Sequence, residues 1–462
     1  MAESTANTFI KESAQKAFDT KHRDIINYNI DKYSTAFEKG KSKFADLENS
    51  KIKANLIKWK VMENLDRYLL QFEANFTARG GKVIWANDAT EALEEIHAII
   101  ERKKAKSVVK SKSMATEEIE LNHFLASKNI EAIETDLGEY IIQLLDQKPY
   151  HFVTPAMHLS LEDIAKLFHE KFDTPLDASA EQLTLKAREL LRDRYLTAEV
   201  GITGANFLIA ETGSIAITEN EGNARLTSTF PKTHIAVVGI EKIIPNLQDL
   251  EVFWPLLSTH GTGQNLTVYN TLITGPKQPY ESDGPEEMYV ILLDNGRSKL
   301  LAQKEQRQGL YCIRCGACLN VCPIYQNIGG HTYETTYQGP IGSLISPHLN
   351  GMKEFKHLSY ASTLCGKCTE VCPVGIDIQR MLLVNRKDSV DQGLAAKTEQ
   401  KVWQWFTYGI MRRKLIDFFG GKFKNFFLKK LFQKTWGDQR ELPKLADKSF
   451  SKQWKEQQKN KE

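Results

Sequence analysis

The stretch YCIRCGACLNVCPIY, residues 311 to 325, contains four of the seven cysteines in this 462-residue chain. Its spacing is C-x2-C-x2-C-x3-C-P, with cysteines at Cys312, Cys315, Cys318 and Cys322. Two intervening residues let a tight loop direct three thiolates at one metal cluster, while the fourth cysteine turns towards a second cluster. Proline ends such a loop because its φ is fixed and it has no N–H to donate. The run is typical of bacterial-type 4Fe–4S proteins and predicts an iron–sulfur domain in this part of the chain.

A second stretch, SYASTLCGKCTEVCPVG at 359 to 375, contains the other three cysteines, and Ser362 stands where a complete motif would have its first one. In two-cluster ferredoxins the last cysteine of each motif ligates the other motif's cluster, so we expect crossed ligation. The predicted ligands of cluster 1 are Cys312, Cys315, Cys318 and Cys372. The predicted thiol ligands of cluster 2 are Cys322, Cys365 and Cys368.

The fourth ligand of cluster 2 is left open by the sequence. The cluster is either a cubane whose last iron is bound by Ser362, water or another residue, or a 3Fe–4S centre, or a site completed by a partner chain. Zinc is an alternative metal, because two C-x2-C pairs can build a tetrahedral four-thiolate site. Seven cysteines where four would suffice, and two Cys-Pro terminations, favour iron–sulfur clusters over zinc.

Composition and cysteine placement indicate a compartment and a domain number. An apolar fraction of 41% and a charged fraction of 26% are typical of soluble globular proteins. The sequence has no run of about 18 apolar residues and no signal-peptide pattern at its start, which predicts a cytoplasmic location. All the cysteines lie between 312 and 372, and in a reducing compartment such clustering favours metal binding over disulfides. At about 150 residues per domain, the length predicts about three domains.

Residues 61 to 300 alternate between helical and β-prone runs, which predicts βαβ units and a largely parallel sheet. The β-prone runs between helical pieces are KVIWA, SVVKSKS, IEAIETD and HFVTPA. Between 204 and 245, the short runs FLIA, SIAIT and HIAVVG are separated by the turn signals ETGS and ENEGN, and we interpret them as a hairpin added to the sheet. Residues 1 to 60 read as polar helices that dock on or cover the rest.

The C-terminal region is basic and aromatic. From residue 397 onwards there are 17 Lys and Arg against 7 Asp and Glu, a local charge of +10, so the first 396 residues sum to −7. This balance gives no support to nucleic-acid binding by the main body. Residues 402 to 432 interleave aromatics with Lys and Arg, with a predicted break at Gly420-Gly421. One helical face holds Phe419, Phe423, Phe426, Phe427 and Leu431. We expect a membrane-surface or partner-docking helix there, with packing on the chain's own body as an equal alternative.

Other candidate motifs are weaker. The Gly-rich stretches HGTGQN (260 to 265) and GPIGSL (339 to 344) do not fit the G-x-G-x-x-G frame between a strand and a helix. Backbone N–H groups of GITGAN or ETGS could hold an anion, but ordinary turns are favoured. His158, His234 and His260 have no spacing that indicates a metal site or a triad, so we expect core or surface roles. No catalytic acid or base is identified.

With both loops and the segment GANFLIAETGSIAITENEGNARL in view, the sequence resembles the iron–sulfur subunit of the bacterial lactate-utilization system, the lactate utilization protein B family. GPIGSLISPHL followed by YASTLCGKCTEVCPVGIDI looks like that family's second half, serine included. The resemblance implies an α/β lactate-utilization domain with a mixed, mainly parallel sheet, followed by an α-helical ferredoxin-like two-cluster domain. The implied boundaries are an N-terminal helical segment at 1–60, the α/β domain at 61–300, the ferredoxin-like domain at 301–395 and the basic aromatic region at 396–462.

The resemblance also implies a function. We expect an electron-transfer component in the oxidation of L-lactate to pyruvate, working beside other subunits of the system in the cytoplasm or peripherally at the inner face of the membrane. Because the chain has no flavin or nicotinamide fingerprint, we expect hydride removal to occur elsewhere. A first alternative is a self-contained iron–sulfur oxidoreductase for a small 2-hydroxy acid, with substrate near the hairpin and the open iron of cluster 2 as Lewis acid. A second alternative is a redox-sensing, ligand-binding scaffold.

Overall fold

The computed structural model describes residues 4–412, 414, 418, 420–436 and 441–460. The chain forms two compact units that divide between residues 388 and 389. The first unit contains the β-sheets and both cysteine stretches, and the second contains the basic C-terminal helices. Within the described residues, no helix is both long enough and apolar enough to cross a membrane.

The first unit is built around a parallel sheet. The described strands are β1 (Lys82–Ala86), β2 (Ser107–Lys110), β3 (Glu131–Glu134), β4 (Val200–Thr203), β5 (Phe207–Ile209), β6 (Ser214–Glu219), β7 (Thr233–Gly239), β8 (Ile243–Ile244), β9 (Tyr269–Ile273) and β10 (Glu287–Leu293). Six of them form one sheet in the order β1-β10-β7-β4-β2-β3, with every neighbouring pair parallel. The central strands β7 and β10 are rich in apolar residues and almost wholly buried, as expected for parallel strands covered on both faces. The predicted α/β class with a mainly parallel sheet is confirmed.

Helices surround the sheet and continue through the cysteine-containing part. They are α1 (Thr5–Lys16), α2 (Thr20–Lys41), α3 (Leu47–Met62), α4 (Leu65–Thr77), α5 (Ala89–Arg102), α6 (Met114–Glu118), α7 (Leu121–Ser127), α8 (Leu137–Leu144), α9 (Leu161–Phe172), α10 (Ala180–Thr197), α11 (Asn223–Thr229), α12 (Leu250–Thr262), α13 (Arg297–Leu301), α14 (Ala317–Asn320), α15 (Tyr325–Ile328), α16 (Gly339–Leu349), α17 (Met352–Tyr360), α18 (Lys367–Glu370), α19 (Ile378–Asp391), α20 (Lys397–Ile410), α21 (Gly421–Trp436) and α22 (Phe450–Lys459). Several begin at side chains that accept a first-turn N–H, among them Asp46, Asp88 and Ser160.

The chain order of the strands creates a crevice at one edge of the parallel sheet. From β2 the chain moves outward to β3, and it then returns to the other side of β2 with β4. In open parallel sheets, ligands bind outside the carboxyl ends of the strands at such a reversal of strand order. The relevant edge lies where Ser111 follows β2 and Gly204 follows β4.

The predicted hairpin exists, but the prediction that it extends the parallel sheet is wrong. β5 and β6 pair antiparallel and belong to a separate four-stranded sheet in the order β8-β5-β6-β9. Only the run HIAVVG, as β7, joins the parallel sheet. The alternation of apolar residues and the turn residues specify a hairpin locally. The strands that pair with this hairpin contain Ile243 and Ile273, which lie further along the chain.

The predicted strand at HFVTPA, residues 151 to 156, is also wrong, because this run forms bends and turns. The Nδ1 atom of His151 accepts the N–H of Val153 at 3.1 Å, and the N–H of Tyr150 donates to the carbonyl of Pro155 at 2.9 Å. These local hydrogen bonds use the backbone groups that a strand ladder needs, and Pro155 has no N–H to contribute.

The N-terminal helices cover the cysteine-containing part, in line with the docking or covering role predicted for residues 1 to 60. Lys51 on α3 donates to the carbonyl of Glu370 at 3.0 Å, and Asn55 donates to the carbonyl of Val374 at 2.7 Å. Side chains from α2, α3 and α4 belong to the same hydrophobic cluster as several of the cysteines. The core is therefore continuous from these helices to the cysteine loops, and the domain boundaries inferred from the sequence stay predictions.

The described part of the second unit contains the end of α19 and the helices α20, α21 and α22. α21 begins at Gly421, in agreement with the predicted break at Gly420-Gly421. Along it, Phe423, Phe426, Phe427 and Leu431 expose 43 to 63% of their surface. Phe419 of the predicted apolar face lies outside the described residues. Apolar side chains are thus exposed along this helix.

Candidate iron–sulfur centre and adjoining cavity

The first cysteine loop, residues 312 to 322, turns sharply because two residues adopt left-handed backbone conformations. Arg314 has φ 61° and Gly316 has φ 79°, and the short helix α14 follows. Glycine takes this conformation without penalty, whereas a residue with a Cβ loses about 1 to 2 kcal/mol. The turn brings the N–H of Arg314 to 3.4 Å from the Sγ atom of Cys312. Such N–H···S contacts stabilise negative charge on a metal-bound sulfur.

Four thiols from both loops border one small, almost entirely apolar cavity. They are Cys312, Cys315, Cys318 and Cys372. Phe152, Ile341 and Val374 complete much of the wall, and the N–H of Ile376 lies 3.4 Å from the Sγ of Cys372. This is the set of residues that the sequence predicts for cluster 1. A pure thiol donor set in a dry site fits iron–sulfur ligation.

The remaining three cysteines form a second group. Burial, with charge repulsion from Cys322 as the next-largest cause, raises the pKa of the Cys368 thiol to about 12, and Cys365 contributes as well. Cys365 is exposed, and the backbone N–H of Lys367 lowers its pKa. Burial raises the pKa of Cys318, which interacts with Cys312 and Cys315 and also with Cys368. Cys318 thus lies near both groups.

The buried thiols require a cation in place of their protons if they are to act as thiolates. Burial raises the pKa of Cys315, and it raises the pKa of Cys372 to about 11, so both are protonated at neutral pH without a metal. Metal binding at such thiols releases protons and is linked to folding. Binding of a metal cluster at these cysteines would therefore displace their protons.

The second loop repeats the backbone of the first. Leu364 has φ 55° and Gly366 has φ 84°, and the short helix α18 follows. The N–H of Leu364 donates to the Oγ of Ser362 at 3.1 Å. This contact is equivalent to that between Arg314 and Cys312 in the first loop. Ser362 therefore takes the structural position of a first cysteine, with oxygen in place of sulfur.

A larger cavity of about 380 Å³ adjoins the first loop. It lies at the carboxyl edge of the parallel sheet, where Ser111, Gly204 and Gly239 follow or end β2, β4 and β7. The hairpin contributes Thr218, and the cysteine loop contributes Arg314. A concave site of this size at a reversal of strand order is the expected place for a small ligand. The sequence stretch GITGAN borders this cavity through Gly204, whereas ETGS does not border it.

One wall of the cavity is cationic. Arg297 is buried and fully engaged, with Nε 2.6 Å from Glu241 and Nη2 2.7 Å from Glu118. The guanidinium carbon of Arg314 lies 4.1 Å from the centre of the Tyr337 ring. Its Nη2 is 3.5 Å from the Glu241 carboxylate, which is a long ion pair. Burial and the neighbouring Arg314 guanidinium lower the pKa of Lys242 to about 8. Two cations on this wall are thus incompletely neutralised.

The cavity lining also contains acidic residues, whose carboxylates serve local structure. Glu219 accepts the N–H groups of Ala224 and Arg225 at 2.8 and 2.9 Å, which caps α11. Glu221 accepts the N–H of Leu137 at 3.1 Å. Burial, followed by the nearby Asp136 carboxylate, raises the pKa of Glu221 to about 7. The cavity lining therefore contains both cationic and acidic side chains.

The three histidines singled out in the sequence have structural partners. His234 is buried with Nε2 2.8 Å from Thr203, and His260 is buried with Nδ1 2.7 Å from the carbonyl of Leu256. His158 stacks on Tyr150 with ring centres 4.7 Å apart. The expectation of core or surface roles agrees with these contacts. Sequence reasoning missed the cavity residues Arg314 and Lys242, because no local pattern indicates that they meet.

Comparison with known protein families identifies the class of protein to which this chain belongs. Residues 69–293 match the family model described as LUD domain, and residues 308–376 match the 4Fe-4S dicluster domain. The protein is thus an iron–sulfur protein with an α/β LUD domain in front of a dicluster domain. The matched ranges include the parallel sheet and both cysteine loops.

The relatives give the particular family. The chain is 47% identical to the protein named "Uncharacterized electron transport protein YkgF" of Escherichia coli over 75% of this chain and 73% of the relative. It is 42% identical to the protein named "Lactate utilization protein B" of Bacillus velezensis over 88% of this chain and 86% of the relative. Its identity to the protein of that name from Bacillus subtilis is 47%, over 76% and 74%. The chain belongs to the lactate utilization protein B family.

Proposed function

We propose that this chain is the iron–sulfur electron-transfer subunit of a lactate-utilization system and takes part in the oxidation of L-lactate to pyruvate. The observation that carries the proposal is the convergence of four cysteines, from loops 50 residues apart in the chain, on one dry cavity. Membership of the family and the match to a 4Fe-4S dicluster domain support it.

Two clusters are part of the proposal. Cluster 1 is held by Cys312, Cys315, Cys318 and Cys372, and cluster 2 is held by Cys322, Cys365 and Cys368. Ser362 stands at the position of the fourth ligand of cluster 2, which is a 4Fe–4S or a 3Fe–4S centre. When bound, such clusters accept and donate single electrons at potentials that the protein sets. The chain's own contribution is to exclude water from cluster 1 with Phe152 and Ile341 and to donate backbone N–H groups to its sulfurs.

The number of electrons released by the substrate fits a role for this chain in carrying electrons. Conversion of a 2-hydroxy acid to a 2-oxo acid releases two electrons and two protons, and a relay of two one-electron centres can hold the pair. Because the sequence has no flavin or nicotinamide fingerprint, we assign the removal of hydride to a partner protein of the system. Cys318 lies near the thiols of both groups, which gives electrons a short path between them.

The C-terminal unit supplies a contact surface in this proposal. Residues 402 to 432 carry exposed aromatics together with Lys and Arg, and they would meet either the partner subunits or the inner face of the membrane. The proposed location is the cytoplasm, with peripheral attachment by this segment. Nucleic acid is not a proposed partner.

Electron paramagnetic resonance on the anaerobically purified chain tests the proposal. Spectra are recorded as isolated, after L-lactate, after L-lactate with the partner proteins, and after dithionite, together with iron, zinc and sulfide analysis. A relay gives signals with dithionite and with L-lactate plus partners, but not with L-lactate alone. A chain that contains zinc and no iron, or that stays silent in every mixture, contradicts the proposal.

The cavity favours one second candidate, a self-contained oxidoreductase for a small 2-hydroxy acid. Its substrate would lie beside the loop of Cys312 and Cys315, since Arg314 from that loop borders the cavity. Cys322, Cys365 and Cys368 do not border it, so the structure offers no support for the open iron of cluster 2 as the Lewis acid. Cluster signals after L-lactate alone would favour this candidate. Cluster reduction without turnover in any reconstituted mixture would favour a redox-sensing scaffold instead.

A further inference from the structure

The cavity between the parallel sheet and the first cysteine loop contains a buried guanidinium donor without an acceptor. The side chain of Arg314 is only 9% exposed. Its Nη2 makes the long contact with Glu241, and its Nη1 is buried and has no hydrogen-bond partner among the described residues. Buried guanidinium donors are ordinarily satisfied, and an unsatisfied charged donor is costly. The missing acceptor points to a ligand that this chain does not itself provide.

Two further polar groups on the same cavity wall are also unsatisfied. Among the described residues, no carboxylate lies within ion-pair distance of the Lys242 ammonium, and no acceptor is recorded for it. The hydroxyl of Ser258 is buried and has no partner within the described part of the chain. An ammonium, a guanidinium and a hydroxyl that border one cavity form the recognition set expected for an oxygen-rich anion.

The other cations that border the cavity or lie close to it already have hydrogen-bond acceptors, unlike Arg314 and Lys242. Arg297 also borders the cavity, but its donors go to Glu118 and Glu241. Lys58 is buried behind the wall and donates to the backbone carbonyl of Glu241. Lys112 borders the cavity as well, and its ammonium donates to the backbone carbonyl of Val153 at 2.5 Å. Among the described residues, Arg314 and Lys242 are therefore the cations of the cavity lining that have a donor group with no recorded acceptor.

We propose that this cavity binds a small organic acid through its carboxylate, with Arg314 and Lys242 as the binding groups. Arg314 offers planar N–H donors that match the two oxygens of a carboxylate, and Lys242 offers a point charge beside it. Asp136, Glu219 and Glu221 also border the cavity, and their carboxylates disfavour a second negative charge on the ligand. The site thus selects an acid with one carboxylate and an uncharged hydroxyl or carbonyl group, which Ser258 can meet.

The cavity and the proposed cluster 1 are connected by one residue. Arg314 lies between Cys312 and Cys315, and its backbone N–H donates to the Cys312 sulfur while its side chain borders the cavity. A ligand bound at the guanidinium therefore lies within one residue of the cluster loop. The assignment of the ligand as a 2-hydroxy or 2-oxo acid rests on the proposed function, whereas the carboxylate site itself does not.

Isothermal titration calorimetry of the anaerobic, cluster-loaded full chain tests the site, with pyruvate, L-lactate, succinate and inorganic phosphate as probes. We expect pyruvate or L-lactate to bind, and succinate and phosphate to bind at least about 10-fold more weakly. Lys242→Gln is expected to weaken binding about 10-fold or more, and Lys242→Arg to restore most of it. Equal binding of phosphate and pyruvate, or no binding of either acid, would overturn the proposal.

Lys58→Met is the matched control, because it removes a cation close to Cys312 that does not border the cavity. Its affinity for pyruvate should stay within about twofold of the unsubstituted chain, with iron content and resonance signals recorded for every variant. If Lys58→Met weakens binding as much as Lys242→Gln, the cations only balance the charge of the cluster and the site is refuted. If Lys242→Gln fails to retain iron, Ser258→Ala at full iron content replaces it, with several-fold weaker binding expected and unchanged binding counting against the site.

These outcomes separate the two proposals. Pyruvate binding that depends on Lys242, in a chain whose clusters are never reduced by L-lactate with partners, would support the site and contradict the electron-transfer role. Normal reduction with partners, combined with no binding of pyruvate or L-lactate, would support the relay and contradict the site.

Discussion

The two cysteine loops share one backbone and differ in their first residue and their surroundings. Left-handed conformations recur at Arg314 and Leu364, and again at Gly316 and Gly366, with a four-residue helix after each glycine. The N–H that meets sulfur in the first loop meets the Ser362 hydroxyl in the second. The loop conformation is therefore kept when its first residue changes from cysteine to serine, so the difference at this position is chemical.

Burial differs at one equivalent pair of cysteines in the two loops. Cys315 of the first loop is buried and borders the dry cavity, whereas Cys365 of the second loop is exposed; Cys318 and Cys368 are both buried. The first loop also contributes Arg314 to the large cavity. In the proposed relay, one end thus faces the site where a small acid would bind, and the other end faces solvent, where a partner can approach.

The largest expected effect comes from Cys315→Ser, which removes a buried ligand of cluster 1. We expect iron per chain to fall by about half and lactate-dependent electron flow with partners to fall more than about 100-fold. The melting temperature should also fall, because metal binding at buried thiols contributes folding free energy. Iron analysis, stopped-flow reduction and calorimetry measure these changes. Retention of full iron and normal flow would show that Cys315 is not a ligand.

Cys365→Ser should have a smaller effect on stability, because this thiol is exposed, whereas Cys315 is buried. We expect cluster 2 to be lost or altered while the resonance signals of cluster 1 remain, and the melting temperature to change less than in Cys315→Ser. Brief exposure of the unsubstituted chain to air should likewise remove cluster 2 first. Loss of both clusters at the same rate would contradict the difference in burial between the loops.

The glycines of the two loops offer a matched pair of backbone tests. An alanine Cβ at position 316 would lie 2.8 Å from the ring of His151, and one at position 366 would lie 2.7 Å from the side-chain oxygen of Gln379. Both positions have φ near +80°, so each substitution costs about 1 to 2 kcal/mol from backbone strain. Gln379 can move aside more readily than the buried His151, so Gly316→Ala should destabilise the chain more. Denaturant unfolding of both variants under argon measures the order, and the reverse order would contradict this account.

Ser362→Cys should have the smallest effect on the fold, because the loop already has the geometry of a first cysteine. We expect unfolding to be unchanged within about 0.5 kcal/mol, as for an undisturbed surface site. The signals of cluster 2 should change to those of a cubane with four thiolates, and Mössbauer spectra would show whether an iron has been added. Unchanged spectra in Ser362→Cys would mean that residue 362 does not reach the cluster and that the fourth ligand lies elsewhere.

Much of this molecule could be predicted from local patterns. The parallel sheet follows from alternating helical and β-branched runs, and KVIWA, SVVK and EAIE form strands as expected. The pairing of cysteines into two groups follows from the spacing rule. The misassigned hairpin and the absent strand at 151 to 156 have a common cause. β-propensity measures how a run fits a pleated, half-buried surface, and it does not specify which strand lies beside it.

The sequence by itself determined the cysteine loops, because two-residue spacings, left-handed glycines and terminal prolines act within a short segment such as residues 312 to 323. It also determined that one loop has a serine where the other has a cysteine. Only the tertiary structure decided that Arg314, from the cysteine loop, borders the same cavity as Lys242 and Ser258, which lie more than 50 residues earlier. The order of strands and the packing of the loop against the sheet edge bring them together, and these depend on long-range burial that no local spacing encodes.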